Sequence, residues 1–97
     1  MFVITLGFSE NRNRAGKLMD GHKMWLRKGF EEGVFLVAGS LAAGKGGGIL
    51  ASKTSRSELE ARLAQDPFVA EKVVSAEIIE ITPSLTDARL EFLIQES

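Results

Sequence analysis

The sequence predicts an α+β fold in which two helices cover one face of an antiparallel sheet. Three observations carry this reading: an alternating apolar run at the N-terminus, a long apolar stripe at helical spacing directly after it, and two further strands followed by a second helix and a closing strand. Phe2, Ile4, Leu6 and Phe8 alternate with Val3, Thr5 and Gly7, the period-two pattern of a strand. The polar stretch Ser9 to Arg14 leads into a helix over about Ala15 to Glu32. Along it Ala15, Leu18, Met19, His22, Trp25, Leu26, Gly29, Phe30 and Gly33 recur at three- and four-residue steps, and Gly33 suits its C-terminal cap. Val34 to Ala38 is an unbroken apolar strand, and Gly39 to Gly48 reads as a glycine-rich turn into Ile49 to Ser52. Ser55 with Glu58, or Ser57 with Glu60, offers a capping box for a second helix through Leu59, Leu63 and Gln65. Asp66-Pro67-Phe68-Val69 then interrupts, a short turn passes Glu71 and Lys72, and a last strand runs from Ala76 to Thr82, ended by Pro83. The tail 84–97 reads two ways: Leu90, Phe92 and Ile94 alternate like a strand, while Ser84 and Asp87 have the spacing of a capped helix. The order βαββαβ is the ferredoxin-like arrangement, here expected as a single domain over residues 1–97.

Composition narrows the function. Twelve basic and thirteen acidic residues give a net charge of -1 with no basic block, so neither nucleic acid nor an anionic membrane is expected as a partner. The absence of cysteine removes disulfides, thiolate catalysis and thiolate zinc sites, and a single histidine does not build the usual histidine-rich metal site, so no metal or cofactor is expected. The apolar N-terminal run is too short to span a bilayer and lacks the features of a signal peptide, which makes the cytoplasm the expected location. Two helices cover one sheet face only, yet Val34 to Ala38 is apolar on both. The simplest cover for the second face is another copy of the same sheet, so a homodimer with sheets face to face is expected.

His22, the only histidine, lies within the apolar stripe of the first helix. An imidazole there either hydrogen-bonds inside the fold or handles a proton in a pocket, because histidine is the one side chain whose ordinary pKa lies near physiological pH. Asp66 follows Leu63 by three residues and so continues the buried edge of the second helix. It also precedes Pro67, the signature of a helix N-cap. With both helices on one sheet face, His22 and Asp66 are placed to meet across a groove, the carboxylate fixing one ring nitrogen and leaving the other to move a substrate proton. Ser40 is the hydroxyl expected nearest that groove, although no spacing ties it into a Ser-His-Asp triad. Trp25 and Phe68 are either core or aromatic walls for a flat ligand. Gly39 to Gly46 nearly spells a phosphate-binding loop, but Gly46 replaces the hydroxyl residue and the segment runs into a strand rather than a helix. Lys17, Asp20, Lys23, Arg27, Lys28 and Glu31 are read as the solvated side of the first helix.

From Met1 to about Pro83 the residues resemble those of the YciI-like, or YCII-related, family. The resemblance is carried by His22 followed by Trp25-Leu26-Arg27, by Glu32-Gly33-Val34-Phe35-Leu36-Val37-Ala38-Gly39, by Gly47-Gly48-Ile49-Leu50-Ala51 and by Leu63-Ala64-Gln65-Asp66-Pro67-Phe68. It implies a dimeric α+β barrel of ferredoxin-like subunits, with His22 and Asp66 as the active pair. The family commonly has Ser-Gly-Pro after its second strand, where this chain has Ala38-Gly39-Ser40. Its relatives include a dechlorinating enzyme acting on a chlorinated hydroxyhydroquinone, and its fold is similar to that of muconolactone isomerase. The expectation is an acid/base enzyme of lyase, isomerase or hydrolase type acting on a compact cyclic or aromatic compound through His22 and Asp66, with Trp25, Ser40 and Phe68 around the substrate. The alternative is a noncatalytic small-ligand-binding or accessory dimer using the same groove.

Overall fold

The computed structural model describes residues 1–95. Strand β1 (Phe2–Phe8) leads through a 3-10 turn into helix α1 (Ala15–Glu31), followed by β2 (Phe35–Ser40), β3 (Gly46–Ala51), α2 (Arg56–Ala64), the short helix α3 (Pro67–Ala70), β4 (Val74–Glu80) and a terminal turn α4 (Phe92–Gln95). The sheet has the order β2-β3-β1-β4 with every neighbouring pair antiparallel, and this is the ferredoxin-like α+β fold.

Alternation along β1 sends Phe2, Ile4 and Leu6 to the helix side, where they are buried with Ile49 and Ala51 of β3 beneath Trp25, Leu59, Leu63 and Phe68. Ile4 and Leu59 are fully buried, each contributing about 1.5–3 kcal/mol of transfer free energy. Helix α1 packs tightly where it carries no side chain: a Cβ at Gly29 would fall on the Phe35 ring, which meets the Trp25 ring edge-on at 5.1 Å. Its end matches the expected cap, with Gly33 at φ +75° after Glu32. Ser55 caps α2 by accepting from the Glu58 amide at 3.1 Å.

Three boundaries differ from expectation. Half of the glycine-rich segment is strand: β2 continues through Gly39 and Ser40, and β3 begins at Gly46. Gly46 (φ +123°) faces the Leu6 carbonyl so closely that no Cβ fits, and Gly47 and Gly48 pair with both β1 and β2. The connecting turn shrinks to Leu41 to Lys45, with Ala43 and Gly44 both left-handed. Strand β4 is displaced by two residues at both ends, Val74–Glu80 in place of Ala76 to Thr82, because Val74 pairs with Phe8 and the pairing ends at Phe2 with Glu80. The tail is helical rather than extended, and its 3-10 turn Ala88–Leu90 is capped by Asp87, which accepts from the Arg89 amide at 2.9 Å, instead of by Ser84. The last two residues of the expected 84–97 tail lie outside the described part of the chain.

On the sheet face away from the helices, the pairing registers set Val37, Leu50, Val3 and Ile79 side by side in one row. Val37 and Ile79 are each about half exposed, at 54% and 52%. A bulge between Phe35 and Val37 shifts the β2 register, so Phe35 faces the helices while Val37 faces outward.

The C-terminal ends of α1 and α2 are tied by Arg62 to Glu32 at 2.6 Å. The hydrogen bond from the Arg62 guanidinium holds the Glu32 carboxyl below its ordinary range. A depressed carboxyl stabilises the fold above its unfolded value, about 4.3, and loses that contribution as pH falls through the lower folded value. Glu32→Gln is therefore expected to lower the urea midpoint slightly at neutral pH, with the two proteins converging in acid. A gap that persists at low pH would show that the Arg62 pair is not its source.

Candidate active site

His22 projects from the middle of α1, and Asp66 stands between the end of α2 and the start of α3. The chain brings them together through two local devices. Gly21 leaves room for the Pro67 ring: a methyl there would press on Pro67 Cγ at 3.1 Å, so α3 settles directly against α1 one residue before the imidazole. Asp66 itself takes extended backbone angles (φ -68°, ψ 122°), with Pro67 opening α3 after it, so its side chain is free to turn back as a cap.

His22 Nδ1 lies 2.8 Å from Asp66 Oδ1, and the same oxygen accepts the Phe68 amide at 3.0 Å. Capping and imidazole pairing, which the sequence offers as competing roles for Asp66, are thus performed by one atom. The Asp66 side chain is completely buried, and its Oδ2 has no hydrogen-bond partner among the described residues. With the carboxylate oxygen accepting, the pair places a proton on Nδ1 and leaves Nε2 as the second ring nitrogen, outside the pairing. The helix dipole of α2 disfavours an anion at its end, and the Phe68 amide at the start of α3 offsets that cost.

The ring is further held by stacking. Phe68 lies parallel to the imidazole at 4.1 Å with a 4° interplanar angle, and the Trp25 indole is 5.9 Å away at 25°. Trp25 is buried and donates its indole N–H to the Arg62 carbonyl at 2.9 Å.

A cavity of about 310 Å³ opens beside the imidazole, a size suited to a single-ring compound. Helix α1 supplies Met19, His22 and Lys23 to its wall, α3 supplies Phe68, and the sheet supplies Leu6, Phe8, Ser40 and the glycines 46–48. His22 lines it and Asp66 does not. Of the residues expected around a ligand, Ser40 and Phe68 are in the wall, while Trp25 stands in the core behind the imidazole as a support. Gly47 pairs with both Leu6 and Ser40 on the helix side of the sheet and makes room there by having no side chain. Sequence reasoning left Lys23 as surface. The signal for Lys23 was its position next to His22, since neighbouring helical residues fan out by about 100° and the rim of a groove is within reach of a lysine stem. Among the described residues no group of three or more His, Cys, Asp or Glu side chains converges as a metal site, and no helix is long and apolar enough to cross a membrane.

No family model matches the chain and no curated protein matches it significantly. Among solved structures it is similar to 5-chloro-2-hydroxyhydroquinone dehydrochlorinase from Burkholderia phenoliruptrix, in complex with 2,5-dihydroxybenzoquinone. The TM-score is 0.66 at 15% identity, over 84% of this chain and 93% of the other. At that identity the likeness shows a shared fold.

Two measurements check the geometry. In nitrogen NMR spectra, neutral His22 is expected as the Nδ1–H tautomer, changing to the Nε2–H form in Asp66→Ala; an Nε2–H tautomer in the unaltered protein would contradict the pairing. Asp66→Ala is also expected to cost about 2–4 kcal/mol, a cap and a charged hydrogen bond lost together, read from chemical denaturation.

Proposed function

We propose that this chain is a YciI-like acid/base enzyme acting on a compact cyclic or aromatic organic compound, with His22 moving a proton at Nε2 and Asp66 orienting it. The observation that carries the reading is the 2.8 Å bond from Nδ1 to a fully buried carboxylate, beside a cavity that the imidazole lines and the carboxylate does not. The ring is positioned before any ligand arrives, which is what general acid/base catalysis requires of its donor. A proton taken from a substrate hydroxyl or carbon at Nε2 leaves positive charge on the ring, and the Asp66 carboxylate balances it from the far side. The same nitrogen then returns the proton to another atom of the substrate or to a leaving group. Phe68 and Met19 supply apolar wall for a flat ring, Trp25 braces the imidazole from behind, and the Ser40 hydroxyl is available to bond a ring substituent.

The neighbour's printed substrate supplies the first compound to try. The unaltered protein is expected to turn over 5-chloro-2-hydroxyhydroquinone or a related hydroxylated ring. His22→Gln should lose about 10²–10⁴-fold in kcat while binding changes little. Tight binding of such rings with no turnover would favour the noncatalytic binding module instead. Equal turnover by His22→Gln would refute the assigned role.

The working unit in this reading is a cytoplasmic homodimer closed through the outer sheet face, with the tail from residue 84 onward resting on the second copy. The row Val37, Leu50, Val3 and Ile79 supports it, as does Leu85, which is 92% exposed. Light scattering at micromolar concentration is expected to give the dimer mass, and Val37→Lys to shift it toward the monomer. A monomer mass for the unaltered protein would sink the dimer.

A further inference from the structure

The cavity wall carries one formally charged side chain, Lys23, and no carboxylate. Phe8, also in the wall, bears a second cation on its ring, with the Arg12 guanidinium 4.0 Å from the ring centroid. Among the described residues neither Lys23 nor Arg12 is in an ion pair, whereas Glu10 is engaged by Lys72 at 3.6 Å and Glu71 by Arg14 at 2.9 Å. A chain with net charge -1 thus places a lone ammonium in its cavity wall, with a second cation on the ring of a wall residue. The glycine segment of β3 is hydrogen-bonded to a strand on each side, so its main chain offers little to a charged ligand.

We infer that the cavity takes its ligand as an anion, a flat ring bearing an ionised oxygen such as a phenolate, enolate or hydroxyquinone oxygen, with Lys23 as the binding counter-charge at the mouth. The inference rests on the ligand site proposed above. It divides recognition between two adjacent residues of α1: Nε2 of His22 accepts a proton from the ring, and the Lys23 ammonium holds the oxygen that is already ionised. A mobile ammonium at a partly open rim favours an anion through charge rather than shape, so the preference should weaken as salt rises.

Calorimetric titration with two probes tests this: 2,5-dihydroxybenzoquinone, which is ionised at neutral pH, and hydroquinone, which is not. The unaltered protein is expected to bind the anionic probe about tenfold more tightly than the neutral one. Lys23→Met should remove that margin, read as the ratio of the two affinities, and Lys23→Arg should restore most of it. Near 1 M salt, where screening acts within about 3 Å, the margin should also collapse. Gly47→Val locates the binding. The first added carbon meets only ordinary contacts, 3.5 Å from the Gly39 carbonyl oxygen and 3.9 Å from Leu6 Cδ1, so the variant fills the cavity and should abolish both titrations. Equal affinities for the two probes, or a margin that survives Lys23→Met, would overturn the anion preference and leave the ligand site standing. Failure of the unaltered protein to bind either probe, or binding undiminished in Gly47→Val, would overturn the site and the inference together.

Discussion

One carboxylate oxygen ties together three elements of this molecule. Asp66 Oδ1 accepts from the imidazole of α1 and from the first free amide of α3, so a helix, a helix start and the end of α2 are referenced to a single point with no exposure to water. Hydrogen bonds to an ionised acceptor are worth roughly twice neutral ones, and burial removes competing water from both. Both donors converge on Oδ1, while the buried Oδ2 has no hydrogen-bond partner among the described residues.

Supporting contacts make that point rigid. Phe68 belongs to the residue pair whose amide and ring both serve the site: its N–H binds Asp66 and its ring stacks on His22. Trp25 is anchored at its indole nitrogen to the backbone of α2, and the same α2 residue reaches Glu32 through its side chain. Arg62 therefore connects the rear of the site to the far end of α1. Displacing His22 by an ångström would require several buried contacts to move at once, which close packing resists.

Much of the architecture was legible because apolar spacing is a direct consequence of one-sided burial. The stripe through Leu18, His22 and Trp25, the alternation of Phe2, Ile4 and Leu6, and the Gly33 cap all follow from local rules. Proximity of His22 and Asp66 was also readable, since two helices on one sheet face leave few places for their inner residues. The glycine segment misled because turn propensity is local, whereas Gly46 to Gly48 are strand residues through nonlocal pairing with β1, which approaches most closely at Gly46. Asp66 presented two roles that sequence treats as exclusive; a single oxygen with two lone pairs serves both. Lys23 was read as the solvated side of α1, and it is exposed, but exposure does not say what lies within reach of a four-carbon stem.

The bare main chain of β3 has a consequence for how such a site diversifies. Along Gly46 to Gly48 the amides and carbonyls are committed to neighbouring strands, so variation in the cavity lining rests with side chains elsewhere in the wall. Met19 and Lys23 on α1 are exposed enough to change without disturbing the core, whereas His22 is tied to the buried Asp66. Drift at the rim can thus alter what the cavity admits while the buried pair beneath it stays as it is.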